Sequence, residues 1–261
     1  MRHYSIVMIG AGNLACSLSH VLKVAGHKLL QVYSRHLVNA QQLATTVGAT
    51  ATDNWQEIEP DADVYIYSLV DEAYKYVPKL AVKHDAVHLL TSGSVAYQAL
   101  TYVQHRGVLY PFQTFSKLRP ITDFSSVPVL IEGEDELAKD VAQSIADSIS
   151  KRVYYCTAEN RARLHLAGVL ANNFTNCMYA LAEEQLKKAD LPFDILLPLI
   201  DETANKVQQL APRKAQTGPA IRGDKDILKK QEGLLETEED KLLYRLISEN
   251  IITHKEMTTT M

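Results

Sequence analysis

The stretch Ile6-Val7-Met8-Ile9-Gly10-Ala11-Gly12-Asn13-Leu14-Ala15 constrains the fold more than any other part of the chain. Its four leading apolar residues suit a parallel strand covered on both faces. Gly10 can take the angles of a tight turn, and Gly12 lets the main chain approach a pyrophosphate. Ala15 is small enough for the new helix to pack closely on the strand. Leu14, Leu18, Val21, Leu22 and Ala25 recur at helical spacing, Gly26 stands at the C-terminal cap, and a second strand follows from Leu29 to Tyr33. Strand, glycine turn and helix in this order place an anion at a helix N-terminus. Unpaired N–H groups and the positive end of the helix dipole hold it there without a basic side chain. The pattern points to a dinucleotide held by Gly10, Gly12, Asn13, Leu14 and Ala15.

The end of the second strand selects the dinucleotide. An NAD site usually carries a carboxylate there for the ribose hydroxyls, whereas this chain has Ser34-Arg35-His36. A serine hydroxyl and a forked guanidinium can hydrogen-bond a 2'-phosphate that a carboxylate would repel, which favours NADP.

Further strands are expected at Asp63 to Leu69, Ala86 to Leu90, Gly107 to Tyr110, Val127 to Ile131 and Arg152 to Cys156, with helices over Leu37–Val47 and around Leu137, Val141, Ile145 and Ile149. This alternation describes a doubly wound, mostly parallel α/β sheet. Ligands bind such sheets at the C-terminal ends of the strands. Leu69 and Val70 are therefore expected to pass over the cofactor ribose, with Asp71 as a helix cap, and Thr91-Ser92-Gly93-Ser94 to lie beside the nicotinamide. In Pro111-Phe-Gln-Thr-Phe-Ser116, the polar pair Gln113 and Thr114 between phenylalanines is expected to line a substrate cleft or join domains.

Beyond Thr157 no strand-like alternation remains, so the expected domains are 1–156, the dinucleotide-binding sheet, and 157–261, all helical. The first helix of the second domain is expected from Glu159 to Lys188, roughly 45 Å long. Its apolar face, which includes Leu164, Ala167, Leu170, Phe174 and Leu181, is broad enough to require cover from other helices or a second subunit. His165 and Asn173 are eight residues apart, a little over two turns, and can look into one cleft. A helix over Phe193–Leu210 is expected to kink at Pro198. In Thr217-Gly-Pro-Ala-Ile-Arg-Gly-Asp224 two glycines and a proline impose an irregular turn, where Arg222 can contact an anionic substrate or pair with Asp224. Thr237 is the expected cap of the last helix.

Composition excludes other classes. The chain has 261 residues, 46% hydrophobic and 22% charged, and a formal net charge of -4, which gives no basic surface for nucleic acid. Met1-Arg2-His3-Tyr4-Ser5 runs straight into the first strand and no apolar stretch is long enough for a bilayer, so a cytoplasmic protein without membrane partners is expected. Three separated cysteines and nine histidines show no zinc-ligand spacing, and no metal is expected.

Together Gly10-Ala-Gly-Asn-Leu-Ala15, Ser34-Arg35, Thr91-Ser-Gly93, Tyr110-Pro-Phe-Gln-Thr-Phe115, His165 with Asn173, and Thr217 to Asp224 resemble a family of bacterial oxidoreductases. In that family a Rossmann-like NADP-binding domain precedes a C-terminal helical domain of unknown function. The N-terminal part is also similar to pyrroline-5-carboxylate reductase and to deazaflavin-dependent NADP reductases. The helical part is similar to the C-terminal domains of the 6-phosphogluconate and 3-hydroxyacid dehydrogenase superfamily. The resemblance implies NADP-dependent hydride transfer to or from a small carbonyl or imine compound between the domains, and a homodimer formed through the helical domain. The glycine turn and Ser34-Arg35 carry over as NADP contacts, while the residues themselves put Ser92 near the nicotinamide, His165 as acid or base, Asn173 and Gln113 as substrate-orienting groups, and Thr114 and Arg222 as substrate contacts. The lysine that 3-hydroxyacid dehydrogenases carry one turn before the asparagine is Val169 here, and Tyr110 stands where many relatives have histidine. A second reading is therefore a dinucleotide-binding regulatory or scaffold protein without catalysis.

Overall fold

The computed structural model describes residues 2–259. Its strands are β1 (Ser5–Ile9), β2 (Lys28–Tyr33), β3 (Thr50–Thr52), β4 (Val64–Tyr67), β5 (Val87–Leu90), β6 (His105–Pro111), β7 (Val129–Gly133) and β8 (Val153–Tyr155). They form one sheet in the order β3-β2-β1-β4-β5-β6-β7-β8, parallel except where β7 runs against β6. The doubly wound, mostly parallel sheet expected from the apolar runs is present. β3 is an addition: Thr50-Ala51-Thr52 is too short and polar to show a strand period.

The helices of this part are α1 (Asn13–Val24), α2 (Leu37–Val47), α3 (Glu136–Ile149) and α4 (Ala158–Gly168). The inner faces of α1, α2 and α3 contribute Leu18, Leu22, Ala40, Leu43, Val141 and Ile145 to one core layer with Ile6, Met8 and Leu89 from the sheet. Tyr65, Tyr67, Tyr74 and Leu90 form a second layer on the other face. α3 starts at Asp135, whose carboxylate accepts the N–H of Ala138 at 2.8 Å. α4 starts at Thr157, whose hydroxyl accepts from the N–H of Asn160.

The helix expected from 159 to 188 is interrupted. α4 passes into a π-helical segment at Val169–Phe174 before α5 (Thr175–Lys188). Such a segment adds a residue to the turn and rotates everything after it, a change that hydrophobic spacing does not announce. The chain divides into compact units 1–178 and 179–261, so α4 and the π segment belong to the unit that holds the sheet. The second unit holds α6 (Leu197–Gln209), the short α7 (Pro212–Ala215) and α8 (Pro219–Arg222), α9 (Lys225–Glu232) and α10 (Glu238–Thr259). Pro198 does not kink a helix as expected. It lies in the first turn of α6, after a 3-10 turn at Phe193–Leu196, where its missing N–H costs nothing. Thr237 caps α10 by accepting the N–H of Asp240.

One buried titratable group in the sheet lowers stability as the pH falls. His88 on β5 stacks on Tyr65 with ring centroids 4.9 Å apart and shares a 2.8 Å hydrogen bond with the Tyr67 hydroxyl. Burial, and then the charge of His105, push its imidazole down to about 3. The unfolded chain takes up this proton near pH 6.5 while the native state refuses it, so stability falls as the pH drops from about 6.5 toward 3. Urea unfolding of His88→Gln at pH 7 and pH 4.5 is expected to show a pH-dependent loss roughly 2 kcal/mol smaller than wild type. Equal losses would show that His88 is protonated in the native state.

Candidate functional site: a dinucleotide cleft and an adjoining polar cleft

The glycine turn leaves β1 where the sheet reverses its order, since β1 lies between β2 and β4. Gly10 has φ +119°, its N–H donates to Tyr33 O at 2.8 Å, and an added Cβ would collide with the Ser68 carbonyl. Gly10 is therefore required by the fold. Gly12 differs: its φ is -80° and a Cβ built there meets no atom within 4 Å. That Cβ would extend into open space in the cleft, so glycine at this position serves the approach of a ligand. The first intrahelical bond of α1 runs from Cys16 N–H to Gly12 O, which leaves the N–H groups of Asn13, Leu14 and Ala15 for an anion. Only their main chain is available for this at positions 14 and 15, because the Ala15 side chain is fully buried and Leu14 packs on the core.

The cleft over this turn has a volume of about 620 Å³, and Gly10, Gly12, Asn13, Ser34, Arg35, Leu69 and Val70 all line it. These seven of the residues expected at the cofactor thus lie together, while Leu14, Ala15 and Ser92 do not line the cleft. Two further lining residues, Trp55 and Lys117, were not among those expected. Trp55, the only tryptophan, stacks on Tyr33 with centroids 3.9 Å apart and lines the cleft beside Arg35. Lys117 comes from the loop after β6, and its N–H donates to Asn13 Oδ1 at 3.3 Å. It adds a cation to a site whose glycine motif needs none. A lone tryptophan in the polar run Thr52-Asp-Asn-Trp55 was a usable signal, whereas nothing local marks Lys117.

Farther along the same sheet edge, the turn after β5 is held internally. Ser92 is buried, donates to Asp71 Oδ1 at 2.7 Å, and accepts the N–H groups of Ser94 and Val95. Ser94 also donates to Asp71. Asp71 is thus not the helix cap expected of it. It is the first residue of a 3-10 turn capped by Val70, and its carboxylate serves the two serines. With its hydroxyl so engaged, Ser92 shapes the turn and does not present its side chain to a ligand.

Below that turn lies a second cleft of about 390 Å³, lined by Tyr110, Gln113, Thr114, His165, Asn172 and Asn173 among others. The expected set of His165, Asn173, Gln113 and Thr114 therefore shares one cleft. Tyr110 Oη and His165 Nδ1 are 3.0 Å apart in a shared hydrogen bond. Burial pushes the Tyr110 phenol up against the lowering pull of Arg161, with Asp71 adding to the rise. A Cβ on Gly93 would lie 2.5 Å from His165 Nδ1 and 2.8 Å from Tyr110 Oη, so glycine there brings the main chain directly onto this pair. Gly168 gives Phe112 the same room against α4. Arg222 is in the second unit, paired with Asp224 at 3.2 Å. Among the described residues no group of three or more His, Cys, Asp or Glu could hold a metal, and no helix is long and apolar enough to cross a membrane.

A glycine turn at the switch point, opening a helix whose first N–H groups are unpaired, defines a dinucleotide-binding domain. Comparisons agree. Residues 5–94 match the family model described as NADP oxidoreductase coenzyme F420-dependent, and residues 127–251 match a domain of unknown function, DUF2520. The crystal structure of BF3122 from Bacteroides fragilis, described as a putative NADP oxidoreductase, is 43% identical, covers 96% of this chain and 98% of its own, and superposes with a TM-score of 0.91. Protein TM1727 from Thermotoga maritima (23% identity, TM-score 0.77, 96% and 99% covered) shares the fold. So does 1-pyrroline-5-carboxylate reductase from Streptococcus pyogenes (14%, 0.65, 98% and 99%). No curated protein matches the sequence. The chain belongs to the family of NADP oxidoreductases that join this N-terminal dinucleotide-binding domain to a DUF2520 domain. The family's cofactor is NADP, and the expected resemblance is borne out.

Two substitutions separate fold from binding. Gly12→Val is expected to melt within a few degrees of wild type and to weaken NADPH binding by at least about tenfold, since its side chain enters only ligand space. Arg35→Ala is expected to weaken NADPH about 10- to 100-fold, the loss of a charge-assisted hydrogen bond, and to leave NADH unchanged. Calorimetric titration with both nucleotides reads both effects. Equal losses for NADPH and NADH would remove Arg35 from the 2'-phosphate.

Proposed function

We propose that this protein transfers a hydride between NADP(H) and a small carbonyl or imine compound held in the cleft of Tyr110, Gln113, Thr114, His165 and Asn173. The observation that carries the reading is the Tyr110–His165 hydrogen bond set against Gly93, at the strand end that follows the dinucleotide cleft. Bound NADPH supplies the hydride, and NADP+ accepts one in the reverse direction.

The chain's own residues orient the substrate and manage the proton. A carbonyl oxygen or imine nitrogen that gains electron density needs a proton donor within hydrogen-bond reach. His165, coupled to the Tyr110 hydroxyl, is that acid, and it is the base when the direction reverses. The amides of Gln113 and Asn173 hold the substrate's polar groups, and Thr114 lines the same wall. Phe112, seated against Gly168, supplies the apolar side. His165 takes the place of the lysine that relatives with Lys at position 169 use. This position is Val169 here, at the start of the π segment.

The same reading makes the chain a homodimer through its helical part. Leu166, Leu170 and Phe174 are each more than half exposed and follow one another at four-residue spacing, a stripe that a second copy would cover.

NADPH consumption should be followed against a panel of cyclic imines, 2-oxoacids and aldehydes, with Gly12→Val as the control of weakened cofactor binding. With the compound that is turned over, His165→Asn is expected to lower kcat by about 10²- to 10⁴-fold, and Tyr110→Phe by a smaller factor. Unchanged kcat in His165→Asn would remove it as the acid.

A further inference from the structure

Arg161, which no motif marks, is 1% exposed. Its guanidinium makes four contacts. Nη1 donates to Glu132 Oε2 at 2.7 Å and to Cys156 O at 3.4 Å, Nε donates to Ser92 O at 3.2 Å, and Nη2 donates to Val95 O at 3.0 Å. Charge neutrality alone explains the contact with Glu132, since a buried charge must be paired. It does not explain the two carbonyls at either end of Gly93-Ser94. Those bonds fix both ends of the turn to α4. The guanidinium plane can serve several acceptors on separate elements at once, and an ammonium cannot reproduce that fork.

Four residues along α4, on the same side of the helix, stands His165. Its ring lies against Gly93, and Tyr110 meets the same glycine. The side chain that ties down the turn and the side chain that meets it are therefore one helical turn apart on a single rigid element. We propose that Arg161 is a positioning residue that holds the Ser92-Gly93-Ser94 turn in register with the Tyr110–His165 pair, and so fixes the wall against which the nicotinamide rests. The proposal rests on the reading above that this turn seats the nicotinamide.

The test uses the full chain with NADPH as the probe. Its variants are Arg161→Lys and the double variant Arg161→Met with Glu132→Met, in which neither buried charge is left alone. NADPH affinity is read by calorimetry, the environment of the reduced nicotinamide by its emission and anisotropy, the His165 ring by NMR, and folding by the melting temperature. The side chain of Arg161 bonds Glu132, Cys156, Ser92 and Val95 and neither the glycine turn nor Arg35, so the double variant should bind NADPH within about threefold of wild type. Its bound nicotinamide should emit like free NADPH, and its His165 signal should lose the shift that NADPH induces in wild type. Arg161→Lys, which keeps the charge and loses the fork, should fall between the two. If the double variant melts early, Arg161→Lys alone decides. A folded variant that retains wild-type emission and His165 shift overturns the proposal and leaves Arg161 purely structural. Wild-type protein that binds NADPH with free-like emission and no His165 shift overturns the nicotinamide seat itself, and the proposal with it.

Discussion

The contact on which the rest depends is the passage of Gly10 over the carbonyl of Ser68. β1 must leave the sheet beside β4 without a side chain, because a Cβ at Gly10 would occupy the place of that carbonyl. Its positive φ turns the chain away from β1 and directly into α1. Once this crossing is made, the N-terminus of α1 faces the end of β4, and Leu69 and Val70 form the opposite wall of the cleft. Gly12 then does separate work. Two glycines two residues apart thus answer to different demands, one to packing and one to ligand space, and a motif written as a single pattern hides this.

The second half of the site has no comparable local origin. Its turn after β5 is built from an aspartate after β4, two serines after β5, and an arginine on α4 that itself depends on a glutamate of β7. Burying an unpaired guanidinium would cost several kcal/mol, so Glu132 is needed for Arg161 to stay folded against the turn. Satisfying that charge ties α4 to β7, to the turn after β5 and to the end of β8. The glycine turn of the dinucleotide cleft is specified by ten consecutive residues, whereas the second cleft and the turn beside it draw on residues from Asp71 to Asn173.

This difference explains what could be read from the sequence. The sheet, its helices, the glycine turn and the Ser34-Arg35 end of β2 follow from apolar period and backbone sterics, which act over a few residues. The clustering of His165 and Asn173 with Gln113 and Thr114 was also legible, from the helix period and a polar pair between phenylalanines. Arg161 was not, because in Glu159-Asn-Arg-Ala-Arg163 it has the same look as its solvated neighbour Arg163. Only tertiary contacts separate the two. Asp71 was misread for a related reason. An acidic residue at a helix start normally caps it, and here two serine hydroxyls from β5 compete successfully for the carboxylate.

The π segment at Val169–Phe174 joins these threads. Asn172 and Asn173, both on this segment, line the same cleft as His165 and Gly168 of α4. Position 169, the first residue of that segment, is occupied by valine. An extra residue in the turn costs helix geometry and is retained mostly where a site requires it.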